Sequence, residues 1–208
     1  MCNVMCNDCV LNQNAKIVYE IHVTVDSSSL CDLDIQWFQR MCSAWGIKGI
    51  VIENLSPSGE VSVDVMTSSV VKTTYLDAFN EMNEIASELT ALDFKVIRRK
   101  IETVSWNFPD NPDQKGYFET HIEFDVADID HFSVLVRQLG GYVSRNANKP
   151  GKAIATLRRN ARSWFLYGYD LGPFVDGIES AGYVANKTLN EYCPYDDNPT
   201  HDDSWIKG

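Results

Sequence analysis

Two segments of the chain repeat one arrangement of acidic, imidazole and apolar side chains. YEIHVTVD runs from Tyr19 to Asp26, and FETHIEFD runs from Phe118 to Asp125, ninety-nine residues later. Both segments have the pattern Glu-x-His-x-(Thr or Glu)-x-Asp, although the whole chain has only four histidines. Side chains at alternate positions of a β-strand project from the same face. Each segment therefore predicts a half-buried strand whose polar face carries one histidine, His22 or His121.

Paired histidines of this kind are suited to acid–base catalysis. Imidazole titrates near neutral pH, so a neutral histidine can remove a proton while a protonated partner donates one. On a phosphodiester, one histidine would activate water or a ribose hydroxyl, and the other would protonate the departing oxygen. Thr24 follows His22 by two residues on the same predicted face, where its hydroxyl could bind a phosphoryl oxygen. The repeat thus indicates His22 and His121 as the candidate catalytic pair.

These residues resemble the motifs of a known enzyme family. His22-Val23-Thr24-Val25 is similar to the His-x-Thr-x motif of the two-histidine phosphoesterases, the LigT-like group that includes RNA cyclic phosphodiesterases. His121-Ile122-Glu123-Phe124 lies where the second motif should fall, with Glu123 where the family has Thr or Ser. The resemblance implies a bilobal α+β fold with one motif in each lobe. It also implies a metal-independent phosphoesterase acting on a small cyclic or oligonucleotide phosphodiester.

A phosphodiester or nucleotide ligand also needs groups that neutralise and position it. Arg98 and Lys100 share one face of a predicted strand, and Arg158 lies in a basic cluster, so these side chains are candidate phosphate ligands. The aromatic ring of Tyr117 could stack on a base. The predicted substrate-binding set is therefore Thr24, Glu123, Arg98, Lys100, Tyr117 and Arg158.

Other interpretations of the repeat stay open. Glu119, His121, Glu123 and Asp125 alternate on one strand face and could bind Zn, Mn or Fe. Residues two apart on a strand are about 7 Å apart at the backbone, however, so one strand is a poor source of several ligands. We accordingly predict no metal and no other cofactor. A non-catalytic nucleotide or small-ligand binding module, or a structural or interaction protein, would fit the same pattern.

The order of predicted elements repeats together with the histidine strands. Residues 16–104 predict two βαβ units. Residues 117–192 repeat that order, with the second helix over 171–182, and add one strand over 163–170 before that helix. We expect an α+β fold of two ferredoxin-like lobes related by a pseudo-twofold, with antiparallel sheets and helices on the outer faces. A linker over 105–116, rich in Pro, Asp and Asn, would join the lobes. Residues 1–15 predict a flexible Cys- and Asn-rich start, and residues 193–208 an irregular tail.

Charge and composition narrow the range of partners. The formal net charge is −11, which argues against binding long nucleic acid, because that needs clustered Lys and Arg. No apolar run approaches the length of a membrane span, and the first residues lack the pattern of a secretory signal. The six cysteines have irregular spacings, which favours reduced thiols. We expect a cytoplasmic protein that binds a small ligand and does not bind a membrane.

Overall fold

The computed structural model describes residues 15–56, 59–104, 116–147, 149–161 and 163–202. Its elements follow the order strand, helix, strand, strand, helix, strand in each half of the chain. The strands are β1 (Ile17–Val25), β2 (Lys48–Leu55), β3 (Val61–Thr73), β4 (Val96–Val104), β5 (Tyr117–Asp125), β6 (Tyr142–Asn146), β7 (Lys152–Arg159) and β8 (Ala185–Asp196). The helices are α1 (Asp32–Ala44), α2 (Tyr75–Ala91), α3 (Ile129–Gln138) and α4 (Trp164–Ser180), followed by a 3₁₀ turn, Pro199–Asp202.

All eight strands form one sheet, which closes into a barrel in the order β1-β3-β2-β6-β7-β5-β8-β4. Every neighbouring pair is antiparallel. The prediction of two ferredoxin-like lobes is therefore wrong, because the two halves share a single closed sheet. Strands of different halves meet at two seams, where β2 pairs with β6 and β4 pairs with β8. Closure pairs the edge strands that each half would expose by itself.

The two histidine strands occupy equivalent places in the strand order. β1 lies between β3 and β4, and β5 lies between β7 and β8. His22 is opposite Lys100 on β4, and His121 is opposite Leu189 on β8. The repeat in the sequence thus corresponds to a repeat in the topology.

The apolar faces of the strands point outward, toward the helices. Tyr19, Ile21, Val23 and Val25 of β1 are at most 2% exposed, and β1 contacts α2. In the second half Phe118 packs on Tyr167 of α4, with ring centroids 5.6 Å apart. The hydrophobic core therefore lies between barrel and helices, and the alternate faces of the strands, which are polar in β1 and β5, point into the barrel.

The segment predicted as a strand over 163–170 is the first half of helix α4, so that prediction is wrong. Ser163 begins the helix, because its hydroxyl accepts a hydrogen bond from the backbone N–H of Leu166. Tyr167, Phe174 and Ile178 are buried on one face of the helix. The run of aromatic side chains favoured a strand locally, but burial at helical spacing against the barrel decided the structure.

The end of the described chain is more regular than the sequence indicated. β8 extends to Asp196, so residues 193–196 of the predicted irregular tail are a strand. The predicted flexible start, apart from residue 15, lies outside the described residues, as does the predicted linker apart from Gly116. Within the described part of the chain, no helix has the length and apolar character needed to cross a membrane.

Candidate functional site

The barrel encloses a cavity of about 310 Å³ that receives side chains from all eight strands. Alternation along each strand places every second residue in this space. Charged and polar side chains from β1, β4, β5 and β8 make one side, and mostly uncharged side chains from β2, β3, β6 and β7 make the other. The main contributors are Glu20, His22, Ile50, Ile52, Met66, Arg98, Lys100, Glu102, Glu119, His121, Tyr142, Ile154, Thr156, Leu189 and Glu191.

Most of the residues that the sequence singled out meet in this cavity. Seven of the eight predicted site residues line it, namely His22, Thr24, Arg98, Lys100, His121, Glu123 and Arg158. The remaining one, Tyr117, packs beneath them, with its ring 4.4 Å from the guanidinium carbon of Arg158. Its hydroxyl donates a hydrogen bond to Asp196 at 2.6 Å. In this structure Tyr117 therefore supports the basic side chains.

Each of the three predicted phosphate ligands is bound to carboxylates. Arg98 donates to both oxygens of Asp196, at 3.0 and 2.6 Å, and to Asp202 at 2.9 Å. Lys100 Nζ lies 2.7 Å from Glu119 and also pairs with Glu102. Arg158 donates to Glu119 at 2.6 Å and pairs with Asp202. The positive charges of these side chains are thus already compensated inside the protein.

The 3₁₀ turn holds one part of the barrel interior through side chains of its own. Asp202 is 1% exposed and binds Arg98 and Arg158. His201 Nε2 lies 2.8 Å from Asp64 on β3, and Asp64 also accepts a hydrogen bond from Asn54. The C-terminal segment therefore supplies buried polar partners to the barrel, a role that its turn-forming sequence did not indicate.

Both ring nitrogens of His22 have fixed partners. Nδ1 lies 3.0 Å from the carbonyl oxygen of Thr67, which can only accept a hydrogen bond, so Nδ1 carries a proton. Nε2 lies 3.0 Å from Glu102. Burial lowers the pKa of His22, but the hydrogen bond and negative charge of Glu102 outweigh burial and raise it overall. The two acceptors and the raised pKa therefore favour the imidazolium form of His22.

His121 has the opposite electrostatic environment. Its Nδ1 lies 2.8 Å from the hydroxyl of Thr156, whereas Nε2 is 3.5 Å from Glu191 and 3.9 Å from Glu119. Burial lowers the pKa of His121, and the negative charges of Glu119 and Glu102 do not restore it. When the proton is on Nδ1, Nε2 presents a lone pair to the cavity. The side chain is 30% exposed, so a ligand in the cavity can reach it.

Glu191, which the sequence analysis did not select, is a carboxylic acid near His121. Burial raises the pKa of Glu191 to about 10, with the negative charge of Glu102 as the next cause. Glu191 therefore keeps its proton at neutral pH. Lys187, Leu189 and Glu191 alternate on β8 and line the cavity together. That alternation was the available signal, but it does not show that a carboxyl group retains its proton.

A chain of ion pairs connects the two histidines. It runs from His22 to Glu102, from Glu102 to Lys100, and from Lys100 to Glu119, whose carboxylate lies 3.9 Å from His121. Burial raises the pKa of Glu119, but Arg158 and Lys100 hold it well below its usual range. Burial also raises the pKa of Glu102, but Lys100 and His22 lower it to about 2. The repeated histidines therefore belong to one electrostatic network that shifts their pKa values in opposite directions.

Two groups of described side chains have ligand atoms within 4.8 Å of one another, which is close enough to hold a metal ion. One comprises Asp64, His201 and Asp202, and the other comprises Glu102, Glu119 and His121. Lys100 already pairs with both carboxylates of the second group, and Arg98 and Arg158 pair with Asp202 in the first. The closeness of the side chains in both groups is thus explained by the ion-pair network to which they belong.

Glu123, the residue that departs from the second phosphoesterase motif, lies beside lysines. Lys152 Nζ is 3.3 Å and Lys149 Nζ is 3.5 Å from its carboxylate. Lys152 also pairs with Asp125 at 2.8 Å. The charge of Glu123 is thus compensated locally, next to the exposed Lys149.

The different environments of His22 and His121 predict separate titrations. By two-dimensional NMR of the imidazole resonances, we expect His22 to titrate above its usual pKa of about 6.5 and His121 below it. Assignment by the variants His22→Gln and His121→Gln identifies each curve. Coincident titration midpoints for the two histidines would contradict this account of the site.

Comparisons with known proteins leave the function of the site open. No protein-family model matches the chain, and no curated protein matches it. The alignment with the crystal structure of a "Putative monooxygenase" from Fusobacterium nucleatum covers 89% of this chain and 95% of that chain, at 11% identity and a TM-score of 0.35. A likeness at this level carries no argument about activity, so the function has to be argued from the cavity itself.

Proposed function

We propose that the chain is an acid–base enzyme that moves a proton within a small organic molecule bound in the barrel. His121 Nε2 is the base and Glu191 is the acid. The observation that carries the proposal is the 3.5 Å separation of His121 Nε2 from a Glu191 carboxyl oxygen, with the pKa of the histidine lowered and that of the acid raised. Two adjacent groups whose pKa values are shifted in opposite directions are suited to separate acid and base roles.

The proton balance of such a reaction closes within the site. His121 takes a proton from a carbon or oxygen atom of the ligand, and Glu191 gives its proton to a neighbouring ligand atom. The result is a tautomer of the ligand, an imidazolium and a carboxylate. Because these two groups lie 3.5 Å apart, the proton passes from His121 to Glu191 and restores the starting state. No oxidant or reductant is consumed.

His22 has a supporting role in this scheme. Its two nitrogens are engaged by Thr67 and Glu102, so its proton is less accessible to a ligand than the lone pair of His121. Its positive charge stabilises Glu102 as a carboxylate, and Glu102 in turn raises the pKa of Glu191. His22 thus acts on Glu191 indirectly, by favouring the charged form of Glu102.

The phosphodiesterase activity suggested by the sequence is the second candidate. The observation that favours it is the presence of both motif histidines in one cavity with three basic side chains. Against it, those basic side chains are paired with carboxylates. The cytoplasmic location predicted from the sequence is retained in this proposal.

The pH dependence of proton transfer tests the acid and base assignments. Two reactions are followed: deuterium incorporation into 2-tetralone in D₂O, and hydrolysis of 2′,3′-cyclic AMP. The rate of deuterium incorporation should rise with pH as His121 loses its proton, below pH 6.5. It should fall near pH 10 as Glu191 loses its proton. Glu191→Gln cannot donate a proton as an acid, so it should lower the rate about 10²- to 10⁴-fold.

The surface variant Glu60→Gln, at an exposed position outside the cavity lining, is the matched control and should retain the native profile. Ketone exchange that is lost in Glu191→Gln and retained in Glu60→Gln supports proton transfer. Cyclic AMP hydrolysis by a native protein that shows no ketone exchange favours the phosphodiesterase. Absence of both activities from the native protein, or an activity unchanged in Glu191→Gln, overturns the proposal.

A further inference from the structure

We infer that the cavity accepts an uncharged molecule with an apolar body and one hydroxyl or carbonyl group, and that it disfavours a phosphate ester of the same body. The inference concerns what binds, and its catalytic consequence rests on the proton-transfer function proposed above. It is carried by the distribution of side chains around the barrel and by the charge balance of the buried groups.

The cavity has an apolar wall and a charged wall on opposite parts of the barrel. Ile50 and Ile52 come from β2, Met66 from the neighbouring β3, and Ile154 from β7. In the strand order these elements follow one another, with only β6 between β2 and β7. Most of the charged side chains described above come from β1, β4, β8 and β5, which complete the circle, while Arg158 lies at the end of β7 and Asp202 in the 3₁₀ turn. A ligand that fills this space therefore touches mainly apolar surface on one side, with Leu189 as an apolar contact on the other.

The charged wall offers hydrogen bonds without a spare positive charge in its buried part. Arg98, Lys100 and Arg158 are each bound to two carboxylates. A phosphate would have to displace these carboxylates or be buried without compensation, and burying an unpaired charge is costly. Seven carboxyl groups and five Lys or Arg side chains line the cavity. Glu191 keeps its proton and the pKa of His22 is raised, so the lining carries no net positive charge that would attract an anion.

A single polar group on the ligand is matched by the pair at the centre of the proposed mechanism. His121 Nε2 can accept a hydrogen bond, and the protonated Glu191 beside it can donate one. A hydroxyl or carbonyl group can satisfy this donor and acceptor without introducing charge. The volume of about 310 Å³ is at the lower end for ligand pockets, which span about 300–1,000 Å³. The occupant is therefore a small molecule.

Calorimetric titration with 2-naphthol and with 2-naphthyl phosphate tests this inference, because the two probes share one apolar body. At pH 7 we expect 2-naphthol to bind at least about tenfold more tightly than its phosphate ester, since the ester places an uncompensated anion beside carboxylates. Met66→Gln, which replaces an apolar side chain of the wall by a polar one of similar length, should weaken 2-naphthol binding by about tenfold.

Leu76→Gln is the matched control, because Leu76 is 62% exposed on α2 and should leave binding unchanged. Thermal denaturation of both variants confirms that a loss of affinity is not a loss of folding. Tighter binding of the phosphate ester, no binding of either probe, or equal affinities in the native protein and a folded Met66→Gln variant would overturn the inference. Selective 2-naphthol binding without any deuterium exchange would leave this inference standing and remove the proposed function.

Discussion

Replacement of His121 by Gln is expected to lower the rate of proton transfer by about 10²- to 10⁴-fold, the usual contribution of a general base. Glutamine can keep a hydrogen bond toward Thr156, but it has no nitrogen lone pair that accepts a proton near neutral pH. The thermal midpoint should change little, because the side chain of His121 is 30% exposed. Exchange into 2-tetralone and thermal denaturation, measured side by side, separate the two effects.

His131→Gln is the matched control for this experiment. His131 is exposed on α3 and interacts with Tyr183 outside the cavity, so the rate should stay within about twofold of the native value. His22→Gln gives a second comparison. If both histidines transferred protons directly, His22→Gln would lower the rate as much as His121→Gln at an unchanged thermal midpoint. That outcome would favour the two-histidine mechanism predicted from the sequence over the His121–Glu191 pair.

Replacement of Lys100 by Met is expected to destabilise the fold by about 3–5 kcal/mol, because it leaves Glu102 and Glu119 without their shared cation. Both carboxylates are at most 3% exposed, so water cannot replace the lost partner. For a chain of this size the thermal midpoint should fall by about 6–20 °C. Differential scanning calorimetry at pH 7 provides the measurement.

The pH dependence of this destabilisation has a definite sign. The folded-state pKa of Glu102 and of Glu119 lies below the ordinary value, so their stabilising contribution is present above pH 4.5 and is lost as the pH falls through the folded pKa. Lys100→Met removes much of that contribution, so its deficit should shrink as the pH falls below 4.5. Lys95→Met is the control, because the Lys95–Asp26 pair lies at the surface and is screened by water, so its loss should change the midpoint little. A Lys100→Met midpoint within 2 °C of the Lys95→Met midpoint, with the roughly 3–5 kcal/mol deficit absent, contradicts the prediction.

The sequence predicted much of the local structure of the first half and of the histidine strands. The polar and apolar faces of β1 and β5 follow from alternation, which depends only on the geometry of an extended backbone. The segment after Ser163 was wrongly predicted as a strand, since aromatic residues are compatible with a strand and with a buried helix face. The sequence also did not indicate the strand character of Cys193–Asp196, where pairing with β4 overrides a local preference for turns.

Closure of the barrel was not predictable from either half, although each half contains a regular order of strands and helices. The seams that join β2 to β6 and β4 to β8 form between residues roughly ninety positions apart, such as Asn54 with Ser144 and Lys100 with Asp196. Two separate sheets would have placed the polar strand faces on a cleft between lobes. A single closed sheet places them inside a cavity. The fold class was therefore wrong although the repeat itself was real.

The sequence by itself determined which side chains share a strand face, and hence that His22 and His121 lie on polar faces with carboxylates. Only the tertiary structure decided how the pKa values of these groups are shifted. The neighbouring residues in the sequence do not set the difference between the two histidines: Glu102 on β4 raises the pKa of His22, whereas burial lowers that of His121. Glu191 is an ordinary glutamate in the sequence and becomes a protonated acid because barrel closure buries it near Glu102. Protonation depends on distances between strands far apart in the chain, and these distances exist only once the barrel has closed.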